Sequence, residues 1–459
     1  MKRRYVSLIL TLAIALSGCG KEQALVEHEE DVVELTQEEN AESESTDIME
    51  EIKSKTIKIK APEKRSTQEV ISINDVTMDN RVIDSFSDSS VSMFAETVKK
   101  TDKNENVLIA PTSLIMALGM TENGADGETL KQMEEAVNGG LNIEEADQVL
   151  RALYLKMNDS QGVEWNNANS IWFKDDGVLE LKDDFVSKAT YYFGAELFKA
   201  SFNGGTLKDI NKWVSDQTKE RIPEILDSIS PDACTYLINA ISFDAKWAKE
   251  YEASAIHENE VFTNADGSRS EVTMLSSKED RYFEYGDALG FIKPYEGQEY
   301  SFVGILPNEG TDIAEYISWM DENSKGFADA VRDSDYADVF VTMPQFTVEY
   351  GTEMSNVLKE MGMTDAFDPG KADFSNMIET ANGADYPIAI ERVIHKTFIN
   401  VDRNGTQAAA ATVVEMRCYA AAPMEKQLFI NLDRPFIYAI VDNETGLPMF
   451  IGCVNTLNK

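Results

Sequence analysis

The chain has 459 residues, 43% of them hydrophobic, enough for one large domain or two ordinary ones with a sizeable core. Its net charge of −39 argues against a nucleic-acid partner, whose phosphates call for Lys and Arg. The four cysteines form no CxxC pair and no Cys/His cluster, so neither a disulfide scaffold nor a structural zinc site is indicated.

At the start of the chain, Lys2, Arg3 and Arg4 precede an almost wholly apolar run from Val6 to Leu16. That run is too short for a hydrocarbon layer of about 30 Å but suits a signal peptide. It ends Leu16-Ser17-Gly18-Cys19, which resembles the bacterial lipobox. The resemblance implies that residues 1–18 are removed and that Cys19 is lipidated and becomes the mature N-terminus. The rest of the chain would then lie outside the cytoplasm, at a bacterial cell surface, held to the membrane only through the lipid.

From Gly20 to Glu51 there are thirteen acids and one Lys, with no aromatic residue and no hydrophobic period. Such a stretch cannot bury enough surface to offset its ordering entropy. Lys53 to Arg65 turns basic and alternates at Ile57 and Ile59; it reads as further linker, with a short strand as the alternative. Residues 19–81 are therefore taken as tether and 82–459 as one globular domain, with no internal repeat and no second linker.

Within the domain, helical periodicity falls at Phe86–Lys99, Ser113–Met120, Glu144–Met157, Leu207–Leu226 and Thr352–Met361. Strand-like runs fall at Asn169–Phe173, Tyr236–Phe243, Phe302–Leu306, Val339–Met343, Ile388–Ile390, Phe436–Val441 and Met449–Val454. Helices and strands mix without a βαβ rhythm, which points to an α+β fold.

The three histidines give little footing for catalysis. His28 lies in the tether, His257 in a polar stretch, and His395 among apolar neighbours, where a hydrogen-bonded core role is favoured. A nucleophile needs a base supported by a third group. There is no GxSxG elbow, no HExxH and no phosphate loop, so an enzyme is not expected.

The unusual segment is Asn404 to Met424, NGTQAAAATVVEMRCYAAAPM. Taken alone, its alanines read as helix. With period two, one set (Thr406, Ala408, Ala410, Thr412, Val414, Met416, Cys418) carries no charge. The other (Gln407, Ala409, Ala411, Val413, Glu415, Arg417, Tyr419) holds Gln, Glu and Arg. That alternation would let the segment lie in a sheet with one face buried. On this segment alone the two readings stand level.

The surroundings tip the balance, because they resemble the serpin family from about residue 85 to Lys459. Asn106-Val-Leu-Ile-Ala-Pro-Thr-Ser113 is similar to the family's N-x-x-x-S-P-x-S helix start, and Asn239 to Trp247 (NAISFDAKW) to its N-x-x-x-F-x-x-x-W segment. His395-Lys396 with Asp402 to Thr406 resembles the strand and hinge before the reactive loop. Ile430 to Ile440 (INLDRPFIYAI) resembles the serpin signature, and Pro448 to Gly452 the terminal strand.

The resemblance implies three β-sheets, about eight or nine helices and an exposed reactive-centre loop at about 404–428. It implies a monomeric inhibitor consumed in the act, with no cofactor or metal, whose partner is a serine or cysteine protease. The protease would be acylated at the loop, which then inserts into the central sheet. The hinge would be Gly405, Thr406, Gln407, Ala408, Ala409, Ala410, Ala411 and Thr412. Ser113, Asn239 and His395 would form the shutter, and Trp247 and Arg403 would lie at the breach, where insertion starts. Counting from Gly405 puts the reactive bond at Tyr419–Ala420, which suits a chymotrypsin-like target. Ala420 to Ala422 would suit an elastase-like one and Arg417 a trypsin-like one. Counting back from Pro435 puts the bond near Met424–Glu425. A non-inhibitory binding protein of the same fold is the alternative.

Two positions depart from the family pattern. Arg403 stands where Glu is usual, and is expected to face the neutral Gln345. Ala110 replaces the first Ser of the helix start, removing a hydroxyl near the shutter.

Overall fold

The computed structural model describes residues 56–61, 78–230, 233–380, 388–406 and 426–457, with backbone only at 167 and 168. The expected signal peptide, Cys19, the hinge from Gln407 to Thr412 and the Tyr419–Ala420 bond lie outside the described residues.

Three sheets and nine α-helices make an α+β fold among the described residues. The first sheet is β1(Ile57–Ile59)–β5(Glu196–Ala200)–β3(Val163–Lys174)–β6(Thr235–Lys246)–β15(Gly405–Thr406)–β14(Val393–Val401)–β12(Phe346–Glu353). The second runs β16(Gln427–Asn431)–β11(Asp335–Pro344)–β8(Arg269–Tyr285)–β9(Ala288–Pro294)–β10(Tyr300–Pro307)–β17(Phe436–Asp442)–β18(Pro448–Val454)–β2(Val107–Ile109), with β7(Ile256–Thr263) beside β8. A small pair joins β4(Leu179–Leu181) to β13(Ile378–Thr380).

Helix α1 covers Asn80–Lys100, starting at an Asp79 cap and ending on Lys99 and Lys100 beside its C-terminal carbonyls. Helix α2, Pro111–Glu122, opens with Pro in its first turn and is buried at every position. It can be buried all round because it packs against β6 on one side and β18 on the other, between the two large sheets. Helices α3(Gly127–Val137), α4(Ile143–Asp159) and α5(Asp183–Phe193) follow. Helix α6(Gly204–Gln217) puts Ile210 and Val214 against Trp172, Phe198 and Ile238 on the other face of the first sheet. With a helix on each side, β6 is buried almost throughout. Helices α7(Ile313–Glu322), α8(Phe327–Arg332) and α9(Ser355–Glu360) complete the set.

Several expectations are corrected. Ile57–Ile59 is not linker: it pairs antiparallel with β5 as an edge strand. Three residues are too few for a pattern to separate strand from tether. The helix expected to reach Leu226 ends at Gln217, and Thr352 belongs to β12 with the helix beginning only at Ser355. Ile388–Ile390 is buried at both isoleucines but forms no strand; the backbone N–H of Ile390 bonds to the carbonyl of Ala366 instead.

Candidate functional site: the seam of the first sheet

Strands β6 and β14 run parallel and pair from Leu237↔Val393 to Ile241↔Thr397. Beyond that the strands part. In the gap sits β15, whose Gly405 faces Lys246 of β6 and whose Thr406 lies between Ala245 of β6 and Val401 of β14.

A row of polar side chains crosses the paired stretch. Asn169, Asn239 and His395 lie side by side on β3, β6 and β14. Asn239 donates from Nδ2 to Ser113 Oγ at 2.6 Å and to Asn169 Oδ1 at 2.8 Å. The Ala110 N–H donates to His395 Nε2 at 3.0 Å, which makes that nitrogen the acceptor. The ring proton is therefore on Nδ1, 3.2 Å from Asn239 Oδ1, the oxygen that accepts it. Full burial pushes the imidazole down to about 3, so it is neutral. Ser113, Asn239 and His395 are thus one hydrogen-bonded network. Asn169 was missed, although an Asn at an inward position of a buried strand is a signal in itself. The hydroxyl absent at Ala110 leaves the backbone N–H as the partner of the ring.

The turn entering the gap is held by Asp402, whose Oδ1 accepts from the N–H groups of Asn404 (2.7 Å) and Gly405 (3.2 Å). Trp247 grips the same turn: its Nε1 donates to the Asp402 carbonyl at 2.8 Å and its N–H to the Asn404 carbonyl at 3.0 Å. Its ring stacks on Tyr295 with centroids 4.7 Å apart, and Tyr295 Oη meets Thr406 Oγ1 at 2.5 Å. Lys293 Nζ sits 5.2 Å from the Trp247 ring centre, with its charge balanced by Glu279 at 2.9 Å. Trp247 lies where β6 and β14 part, and Tyr295, which no sequence motif marks, packs beside it.

Arg403 differs from expectation. Its carbonyl accepts from the Tyr251 N–H at 3.2 Å, while its side chain is exposed. No hydrogen bond joins it to Gln345 among the described residues. Of the expected hinge, Gly405 and Thr406 are seated in the gap.

The arrangement is a parallel seam locked by a neutral hydrogen-bonded row, open above it and already holding the first two residues of a further strand. A family model described as Serpin (serine protease inhibitor) matches residues 84–457. An uncharacterized serpin-like protein of Thermococcus kodakarensis is 31% identical over 359 residues, covering 76% of this chain and 80% of the relative. Among solved structures, the native state of the thermophilic serpin tengpin matches with a TM-score of 0.75 and 40% identity, covering 83% of this chain and 95% of that one. Its latent state matches with a TM-score of 0.71 and 38% identity, covering 83% and 99%.

Proposed function

The chain belongs to the serpin family of serine protease inhibitors, and from that premise we propose that it traps its target by inserting its cleaved reactive loop between β6 and β14. The protease's nucleophile attacks the carbonyl carbon of Tyr419 and the bond to Ala420 breaks. The leaving amine takes up a proton, and the chain through Tyr419 stays esterified to the enzyme. The chain from Gly405 onward then adds to the strand begun at Gly405–Thr406 and drags the acylated protease along the sheet before water can release it. A chymotrypsin-like or elastase-like serine protease fits Tyr419 followed by alanines.

One observation carries this reading: β15 is already paired on both sides within the gap between two parallel strands. Extension of β15 needs the β6–β14 pairing to open downward through the His395–Asn239 bond. The alternating uncharged set from Thr406 to Cys418 would turn inward as it went. The test is incubation of the full chain with chymotrypsin, elastase and trypsin, followed by a denaturing gel. A covalent complex with a released peptide starting at Ala420 supports trapping and the bait bond together. Cleavage with no complex makes the protein a substrate and favours the non-inhibitory reading.

The protein acts, in the same proposal, as a monomer on a bacterial surface, tethered through lipid on Cys19 and the acidic segment that follows. Cys19→Ser should release it into the soluble fraction; a variant still held by the membrane refutes the anchor.

A further inference from the structure

Phe429 of β16 is 68% exposed, and its ring stacks on Phe340 of β11 with centroids 5.2 Å apart and planes 16° from parallel. The two are partners in the strand register, and the next residue in the same row is Lys278 of β8. Lys278 Nζ lies 5.7 Å from the Phe340 ring centre and pairs with Asp338 at 2.9 Å. The row is an aromatic, locally neutral face on a molecule of net charge −39. The opposite side chains of β11, Val339 and Val341, fill the core, so the rings do not serve it. A single exposed aromatic residue needs no explanation; here a half-buried Phe340 and an exposed Phe429 stack into one apolar row on the outer face of the sheet.

The position says what can cover it. The described chain ends at Thr406 and resumes at Lys426, three residues before Phe429. Lys426 is pinned: its carbonyl accepts from the Asp338 N–H at 3.0 Å, and its Nζ donates to Tyr282 Oη at 2.6 Å. Ala420 is six residues before Lys426, so the bait bond lies within about 22 Å of that anchor even with the chain fully extended. An enzyme seated on that bond would have this face of the second sheet within reach.

We propose that the Phe340–Phe429 face is an auxiliary docking surface for the target protease, which presses an apolar surface segment flanking its cleft against the two rings. The proposal rests on the inhibitor reading above and adds a determinant of target choice outside the loop. Aromatic residues in such positions carry a large share of interface energy.

The test is the second-order rate at which chymotrypsin, elastase and trypsin act on the full chain and on a Phe340→Ser, Phe429→Ser double variant. With the matching protease, the double variant should react about tenfold more slowly. It should stay folded by circular dichroism, its ratio of trapped to cleaved inhibitor should stay the same, and a synthetic 404–428 peptide should be cut at its usual rate. Equal rates with all three enzymes overturn the proposal. If the wild-type chain is cut but not trapped, the inhibitor reading fails, while the cleavage rate still reports docking and is judged the same way. A wild-type dimer made monomeric by the double variant, with unchanged rates, assigns the face to a second copy and also overturns it. Should the double variant not fold, Phe429→Ala alone supplies the same comparison.

Discussion

The hydroxyl groups of Tyr295 and Thr406 meet at 2.5 Å, and both side chains are fully buried. The contact ties the second sheet's β9–β10 turn to β15, in the gap of the first sheet. Burial pushes the Tyr295 phenol well above its ordinary range, so it is a neutral partner at any working pH. Tyr295→Phe deletes this partner of the Thr406 hydroxyl inside the core, at a cost of about 1–3 kcal/mol. Urea unfolding should show it, with the fluorescence of Trp247, stacked on the same ring, as the probe. Unchanged stability would mean that the bond does not hold the hinge.

Gly405 is the tighter constraint. A Cβ there would stand 2.1 Å from the Ala245 carbonyl oxygen and 2.7 Å from Lys246 Cα, both backbone atoms of β6. Gly405→Val therefore cannot seat in the gap without moving the strand. The variant should fold and be cleaved normally, but more of it should be consumed per protease trapped, because insertion starts late relative to hydrolysis of the ester. Titration of residual protease activity measures this stoichiometry; an unchanged value would show that insertion does not begin at β15.

The parts of this site visible in the sequence are those with a fixed residue type at a fixed spacing. Ser113, Asn239, His395 and Trp247 could be placed because each sits in a motif, and the structure joins the first three in one network. Tyr295 and Lys293 could not, since they reach Trp247 across a bridge between strands distant in sequence. The edge strand Ile57–Ile59 hides in three residues whose alternation matches any basic linker. The Leu207–Leu226 window ran past the helix because Ile222 and Leu226, both buried, extend the apolar pattern after the backbone has left the helix at Gln217. Arg403 was judged by its charge, whereas its carbonyl is what the fold uses.

His395 predicts an acid limb of stability. Its imidazole is neutral and fully buried, with the Ala110 N–H and Asn239 as its partners, and burial alone holds it down to about 3 against an ordinary 6.5. The unfolded chain binds the extra proton first, so the contribution is complete above pH 6.5 and is lost as pH falls from there toward 3. One proton gives a slope of about 1 kcal/mol per pH unit. His395→Gln, which cannot titrate, should remove this contribution, read as the difference between the wild-type and variant urea-unfolding profiles across that range. A difference that does not change with pH would assign the effect to another group.

Glu122 and Asp147 predict the opposite limb. Glu122 ends α2 fully buried, its Oε2 accepting from Asn138 Nδ2 at 2.9 Å and its Oε1 without a partner among the described residues. Burial raises it to about 8, the Asn138 bond works against this, and the carboxyls of Asp147 and Glu134 add to it. Asp147 of α4 accepts from Asn123 Nδ2 at 3.0 Å and is raised to about 7, again chiefly by burial. Both groups keep their protons in the fold when the unfolded chain has released them. Their contribution is complete below about pH 4 and is lost as pH rises through their folded values near 7 and 8. Between about pH 4.5 and 6.5 these two falling contributions run against the single rise from His395, so together the three groups should give a net fall of about one proton's slope there. The variants separate the two. Glu122→Gln, which mimics the protonated acid and keeps an acceptor for Asn138, should flatten the profile, because Asp147 alone is then set against His395. His395→Gln should make the fall about twice as steep. A wild-type profile that neither variant tilts would mean that neither buried group sets the pH dependence.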